Sequence, residues 1–183
     1  MNHHHPQRYR LLALVLTSRG LGYAVLEGEA SLIESGRASV RNGDKNTQCL
    51  AKVEKLSALY RPDALILEDV TAKGSRRHPR IERLHRELEA FAKKCKLTVN
   101  IVSGQQVRRL LLGNEHGTKQ EMAEVLAKRF PIELAFRIPP KRRLWESADS
   151  RMDIFDAVGL AVAYRIIESR KTIAPLTNRS NCA

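Results

Sequence analysis

The chain has 183 residues, 43% hydrophobic and 28% charged, with 32 Lys and Arg against 20 Asp and Glu. That length suits one domain with a full core and leaves no room for two large ones, and the composition excludes a disordered or fibrous protein. A formal charge of +12 points to a polyanionic partner, DNA or RNA, drawn in by long-range attraction.

The longest nearly apolar run, Ile154 to Ala163, is about half of the roughly 20 residues that a membrane-spanning helix needs, so no membrane partner is expected. Met1 to Arg10 carry no apolar secretory stretch, and Cys49, Cys95 and Cys182 are widely spaced. The expectation is a cytoplasmic protein with reduced thiols and no structural zinc. His3, His4 and His5 read as a flexible terminal run rather than a metal site.

Residues 1–9 are expected to form a disordered extension. The β-rich runs Arg10 to Thr17 and Leu21 to Glu27 predict two hairpin strands, and a third extended segment, Ser31 to Val40, follows the turn signal Glu27-Gly28-Glu29. Between Thr47 and Tyr60, Leu50, Val53, Leu56 and Tyr60 recur at helical spacing, and Pro62 ends the pattern. Ala64 to Leu67 has the continuous apolar character of a buried parallel strand and runs into Glu68 and Asp69. A basic loop, Lys73 to Pro79, leads into a helix whose face is Ile81, Leu84, Leu88, Phe91 and Cys95, with His85 flanking it in a structural role.

Thr98 to Val102 predicts another strand, and Ser103 opens a short helix that Gly113 stops. Thr118-Lys119-Gln120-Glu121 matches a capping box, ahead of a stripe of Met122, Val125, Leu126 and Phe130. Pro131 to Asp149, with Pro139, Pro140 and the cluster Lys141-Arg142-Arg143, reads as a mobile or partner-contacting connection. A last helix runs from about Ser150 to Glu168, and 169–183 reads as a flexible tail. Three strands followed by alternating helices and strands imply an α/β domain over 10–168.

Asp153 and Asp156 are three apart, hence neighbours on one face of a helix that is otherwise almost wholly apolar as far as Ile167. Acids near a helix start also complement its dipole. Glu68 adds a third, at the carboxyl end of a strand, where open α/β sheets place their ligands. Three such carboxylates suit a hard cation, Mg²⁺ or Mn²⁺, and a pair of these ions about 4 Å apart can stabilise both the attacking and leaving oxygens of a phosphodiester.

The Gly22-Tyr23 hairpin, Leu67-Glu68-Asp69-Val70, Gln106-Val107-Arg108-Arg109, Gly113 through Lys119, and Asp153-Ile154-Phe155-Asp156-Ala157 stand in the order and spacing of one known family. From about Leu11 to Ile167 the chain resembles the RuvC family of Holliday-junction resolvases, in the ribonuclease H-like superfamily. The resemblance implies a mixed five-stranded sheet, three antiparallel strands followed by parallel ones, with helices on both faces. It further implies Mg²⁺-dependent cleavage of branched DNA by a homodimer. Glu68, Asp153 and Asp156 take the metal-ligand positions. Lys119 takes that of a lysine acting near the scissile phosphate, its other reading being a solvated helix-start residue. Arg76, Arg77, Arg108, Arg109, Lys141, Arg142 and Arg143 are the candidate phosphate contacts.

The departures matter as much. The family's first strand carries an aspartate seven residues before the Gly-Tyr pair, where this chain has Val15, or Thr17 if the hairpin is two residues shorter. Neither is an anionic ligand, and Asp69, next to Glu68, would point to the opposite face of a regular strand. Thr71 stands where the family has an aromatic in the following loop. The expected function is a structure-selective DNA endonuclease impaired by the missing acid. The alternatives are a non-catalytic nucleic-acid-binding protein and an RNA-processing or mobile-element nuclease of the same fold.

Overall fold

The run Leu11 to Leu16 is apolar at every position because its strand, β1 (Arg10–Thr17), is covered on both faces. Leu11, Ala13 and Val15 enter one core, and Leu12, Leu14 and Leu16 enter a second across the sheet. The computed structural model describes residues 9–29, 31–41, 43–71, 79–141 and 149–173. β1 pairs antiparallel with β2 (Gly20–Glu27), and β2 with β3 (Ser31–Ser39). β1 also pairs parallel with β4 (Ala64–Glu68), and β4 with β5 (Thr98–Val102), in the order β3-β2-β1-β4-β5. This is the expected mixed five-stranded sheet.

Helices α1 (Lys45–Tyr60) and α2 (Pro79–Lys94) cover one face through Val53, Leu56, Leu84 and Leu88. On the other lie α3 (Gly104–Leu112), α4 (Lys119–Arg129), the single turn α5 (Pro131–Leu134) and α6 (Met152–Ile173), with Phe155 and Leu126 fully buried. The Thr118–Glu121 capping box forms, and Ser103 and Gln106 make a second at the start of α3. Among the described residues no helix is long and apolar enough to cross a membrane.

Several boundaries differ from the sequence expectation. α1 begins at Lys45 because the Asp44 carboxylate accepts from the Asn46 and Thr47 amides. Cys95 lies past the end of α2, exposed, and His85 and Ala92 are buried on that helix's inner face instead. Val125 sits at the rim of α4, while Ala123 and Ala127 take the inner face. The Pro131–Asp149 connection opens on α5 and a 3₁₀ turn, Ala135–Arg137, with Pro131 preset for the first helical position and Leu134 buried. α6 starts at Met152 rather than Ser150 and runs on to Ile173 rather than ending at Glu168, since nothing breaks it before Pro175. Residues 1–8, Arg76, Arg77, Arg142, Arg143 and 174–183 lie outside the described residues.

Candidate functional site

Because β1 and β4 run parallel with Leu14 beside Leu67, the next step along each strand sets Val15 beside Glu68. Side chains alternate along a strand, so Val15 and Thr17 share the face of Leu11 and Ala13, and Glu68 shares that of Ala64 and Ile66, all turned towards α6. The first two turns of α6 bring Asp153 and Asp156 to the same place. A cleft of about 310 Å³ opens there, lined by Val15, Thr17, Ser18, Glu68, Lys119, Asp153 and Asp156, with Val107, Met122 and Leu160 as apolar lining. Asp69 lies outside it: β4 ends at Glu68, and the Asp69 carboxylate accepts from the Thr71 amide and hydroxyl instead.

Gly22 sets how closely helix and sheet approach. It pairs with Val15, and a Cβ on it would fall 2.1 Å from the Asp153 carbonyl oxygen, so only a glycine lets α6 dock there. Opposite Gly22 on β3 is Arg37, whose Nη1 donates to Ser150 Oγ at 2.7 Å, just before α6.

Burial, and then the neighbouring Asp156, push the Asp153 carboxyl above the usual carboxylate range; Arg37, Lys119 and Arg19 act in the opposite direction. The side chain of Asp156 is 14% exposed, and its Oδ2 accepts from the Lys119 ammonium. Val15, at the position where the resemblance implies a first-strand acid, is 5% exposed and packed in the core. At the alternative position, the Thr17 hydroxyl is buried without a hydrogen-bond partner among the described residues. The Thr17 carbonyl accepts from Arg80 Nη2 at 2.6 Å, and Arg80 Nη1 donates to Asn46 Oδ1 at 2.9 Å, which ties the end of β1 to α1 and α2.

The candidate cations separate. Arg108 lines the cleft and donates through Nε to the Glu115 carbonyl at 2.8 Å, whereas Arg109 turns outward to pair with the Glu115 carboxylate. Lys141 is exposed. Arg37 and Arg80 carried no signal in the sequence, since neither belongs to a motif and both act across the sheet.

The three acids therefore share a cleft without forming a ligand set. Among the described residues no three His, Cys, Asp or Glu side chains stand as a group able to hold a metal ion. Lys119 sits on Asp156, and β1 offers a valine where another oxygen would be needed. As they lie, these residues do not fit a pair of Mg²⁺ or Mn²⁺ ions.

No family model matches the sequence, and no curated protein matches it. Solved structures do match. Thermus thermophilus RuvC is 16% identical with a TM-score of 0.67, over 89% of this chain and 97% of that one. A second structure of it, in complex with a Holliday junction substrate, is 15% identical at the same TM-score, over 90% and 97%. The yeast mitochondrial Holliday junction resolvase is 12% identical with a TM-score of 0.62, over 89% and 80%. The fowlpox virus resolvase, in complex with its Holliday junction DNA substrate, is 13% identical with a TM-score of 0.53, over 86% and 99%. The chain has the ribonuclease H-like fold of these resolvases.

Proposed function

We propose that this chain is a RuvC-like protein of branched DNA, built as a structure-selective endonuclease and impaired in cleavage by the residues that end β1. The observation that carries this reading is the convergence of Glu68, Asp153 and Asp156 on one cleft at the carboxyl ends of β1 and β4, the place where open α/β sheets bind ligands. The shared fold with junction resolvases and the charge of +12 support it.

As they lie, the residues do not fit the ions. What the chain itself supplies is a phosphate-facing cleft with Lys119 and Arg108 on its walls. Arg109 and Lys141 are further contacts, and Arg76, Arg77, Arg142 and Arg143 extend the set in sequence. A four-way junction presents symmetry-related strands, which suits two copies of the chain, a homodimer.

The test is binding and cleavage of a four-way junction against linear duplex, with Mg²⁺ or Mn²⁺, by the wild type, Glu68→Gln and Asp153→Asn. The expected result is preferential junction binding, with nicking confined to metal concentrations above the millimolar range and abolished by either substitution. Cleavage that survives loss of both acids refutes the site, and equal affinity for linear duplex refutes the branched substrate. The second reading, a protein that binds junctions without cutting them, is favoured by the buried Val15; tight junction binding with no nicking in either metal selects it.

A further inference from the structure

We infer that the Lys119 ammonium takes the place of a metal ion in this cleft, so that a DNA phosphate is met there by the chain's own cations and divalent ions are kept out. The phosphate half of this inference rests on the branched-DNA reading above; the metal half rests on the side chains alone.

Lys119 is the first residue of α4, and the Thr118–Glu121 capping box immediately before it fixes where that helix begins. From there its ammonium reaches Asp156 on α6, a carboxylate only 14% exposed. Asp153 lines the same cleft as Lys119, and the charges of Arg37, Lys119 and Arg19 favour its ionised form. Glu68 Oε1 and Arg108 Nη1 converge on Gly104, lying 3.4 and 3.7 Å from where its Cβ would be. Asp156 thus carries the Lys119 ammonium, and Glu68 shares the cleft with Arg108.

A divalent ion entering the cleft would have to lift a lysine off a largely buried carboxylate, against the repulsion of the remaining cations. It would then meet the methyl groups of Val15 where a further oxygen is required. Phosphate meets the same carboxylates, but the Lys119 ammonium already offsets Asp156, and Lys119 and Arg108 line the cleft and can turn their remaining donors to it.

Mn²⁺ alone, titrated into the full chain and followed by its electron paramagnetic resonance signal, reads the metal half. The expected result is no saturable uptake by the wild type through the millimolar range. Lys119→Met and Lys119→Gln leave Thr118 to cap α4, and each should gain uptake at least roughly tenfold tighter, as removal of a neighbouring unit charge demands. That uptake should be lost again when Asp153→Asn is added. Saturable uptake by the wild type, or no gain in either folded Lys119 variant, overturns the inference.

The phosphate half is read by junction binding in chelator. Affinity should match that measured with Mg²⁺, and Lys119→Met should reduce the slope of log K against log salt by about 0.9. A wild type that needs Mg²⁺ to bind the junction overturns this half. Absence of any junction binding refutes the proposed function instead and leaves the Mn²⁺ result standing.

Discussion

A single methyl group at Gly22 would force the sheet against the helix that carries both aspartates. An alanine Cβ there falls 2.1 Å from the Asp153 carbonyl oxygen and 2.6 Å from its carbon, while real Cβ contacts stop near 3.0 Å. Both obstructing atoms are backbone, so no rotamer change relieves the clash. β2 or the first turn of α6 must shift by about 0.9 Å, the gap between 2.1 and 3.0 Å. Overpacking of this kind costs about 1–3 kcal/mol, and backbone against backbone belongs at the upper end. For a chain of this length about 3 kcal/mol lowers Tm by roughly 6–12 °C.

Differential scanning calorimetry of Gly22→Ala measures this, with Gly104→Ala as the control. At Gly104 the nearest atom is a carboxylate oxygen at 3.4 Å, and alanine is the better helix former by about 1 kcal/mol, so Tm there should hold or rise. A Gly22→Ala variant melting within about 1 °C of the wild type, less than about 0.5 kcal/mol, would refute the docking of α6 on Gly22 and with it the placement of Asp153.

Thr118→Ala removes the hydroxyl that caps α4 and costs about 1 kcal/mol, a fall of roughly 2–4 °C in the same melt. Asp153→Asn should stabilise the protein, with a pH signature. Burial raises the Asp153 pKa in the folded state, so the folded protein holds a proton that the unfolded chain gives up, and ionisation costs stability as pH rises from the ordinary value near 4. Melts of the two proteins should coincide in acid and separate above that range with the Asn variant higher; a lower Tm for the variant at neutral pH would contradict the desolvated carboxylate. Val15→Asp buries a charge at a position 5% exposed and should cost several kcal/mol. Where it folds, it supplies an oxygen beside Glu68, and combined with Lys119→Met it should show Mn²⁺ uptake and faster junction nicking than the wild type.

Much of the architecture was legible because it depends on local pattern. A strand covered on both faces must be apolar throughout, which marked Leu11 to Leu16 and Ala64 to Leu67. The capping box before α4 is a four-residue signal, and it formed. Local pattern failed where neighbours in space decided the outcome. Val125 fits a helical stripe as well as Ala123 does, but the alanine is the one buried in the core shared with α6. The turn at Pro131 was hidden by prolines that read as breakers, although Pro131 only opens a helix whose anchor is Leu134.

The same division runs through the site. The sequence by itself determined that Asp153 and Asp156 would share a helix face, that Glu68 would end a buried strand, and that the opening strand would carry no acid, because spacing of three and strand alternation are properties of the backbone. Only the tertiary structure decided what the acids face. Lys119 reaches Asp156 across 37 residues of chain, and Arg37 reaches the start of α6 across 113. A charge is balanced by whatever stands within a few ångströms of it, and that distance is set by the packing of β2, α4 and α6 rather than by any local run of residues.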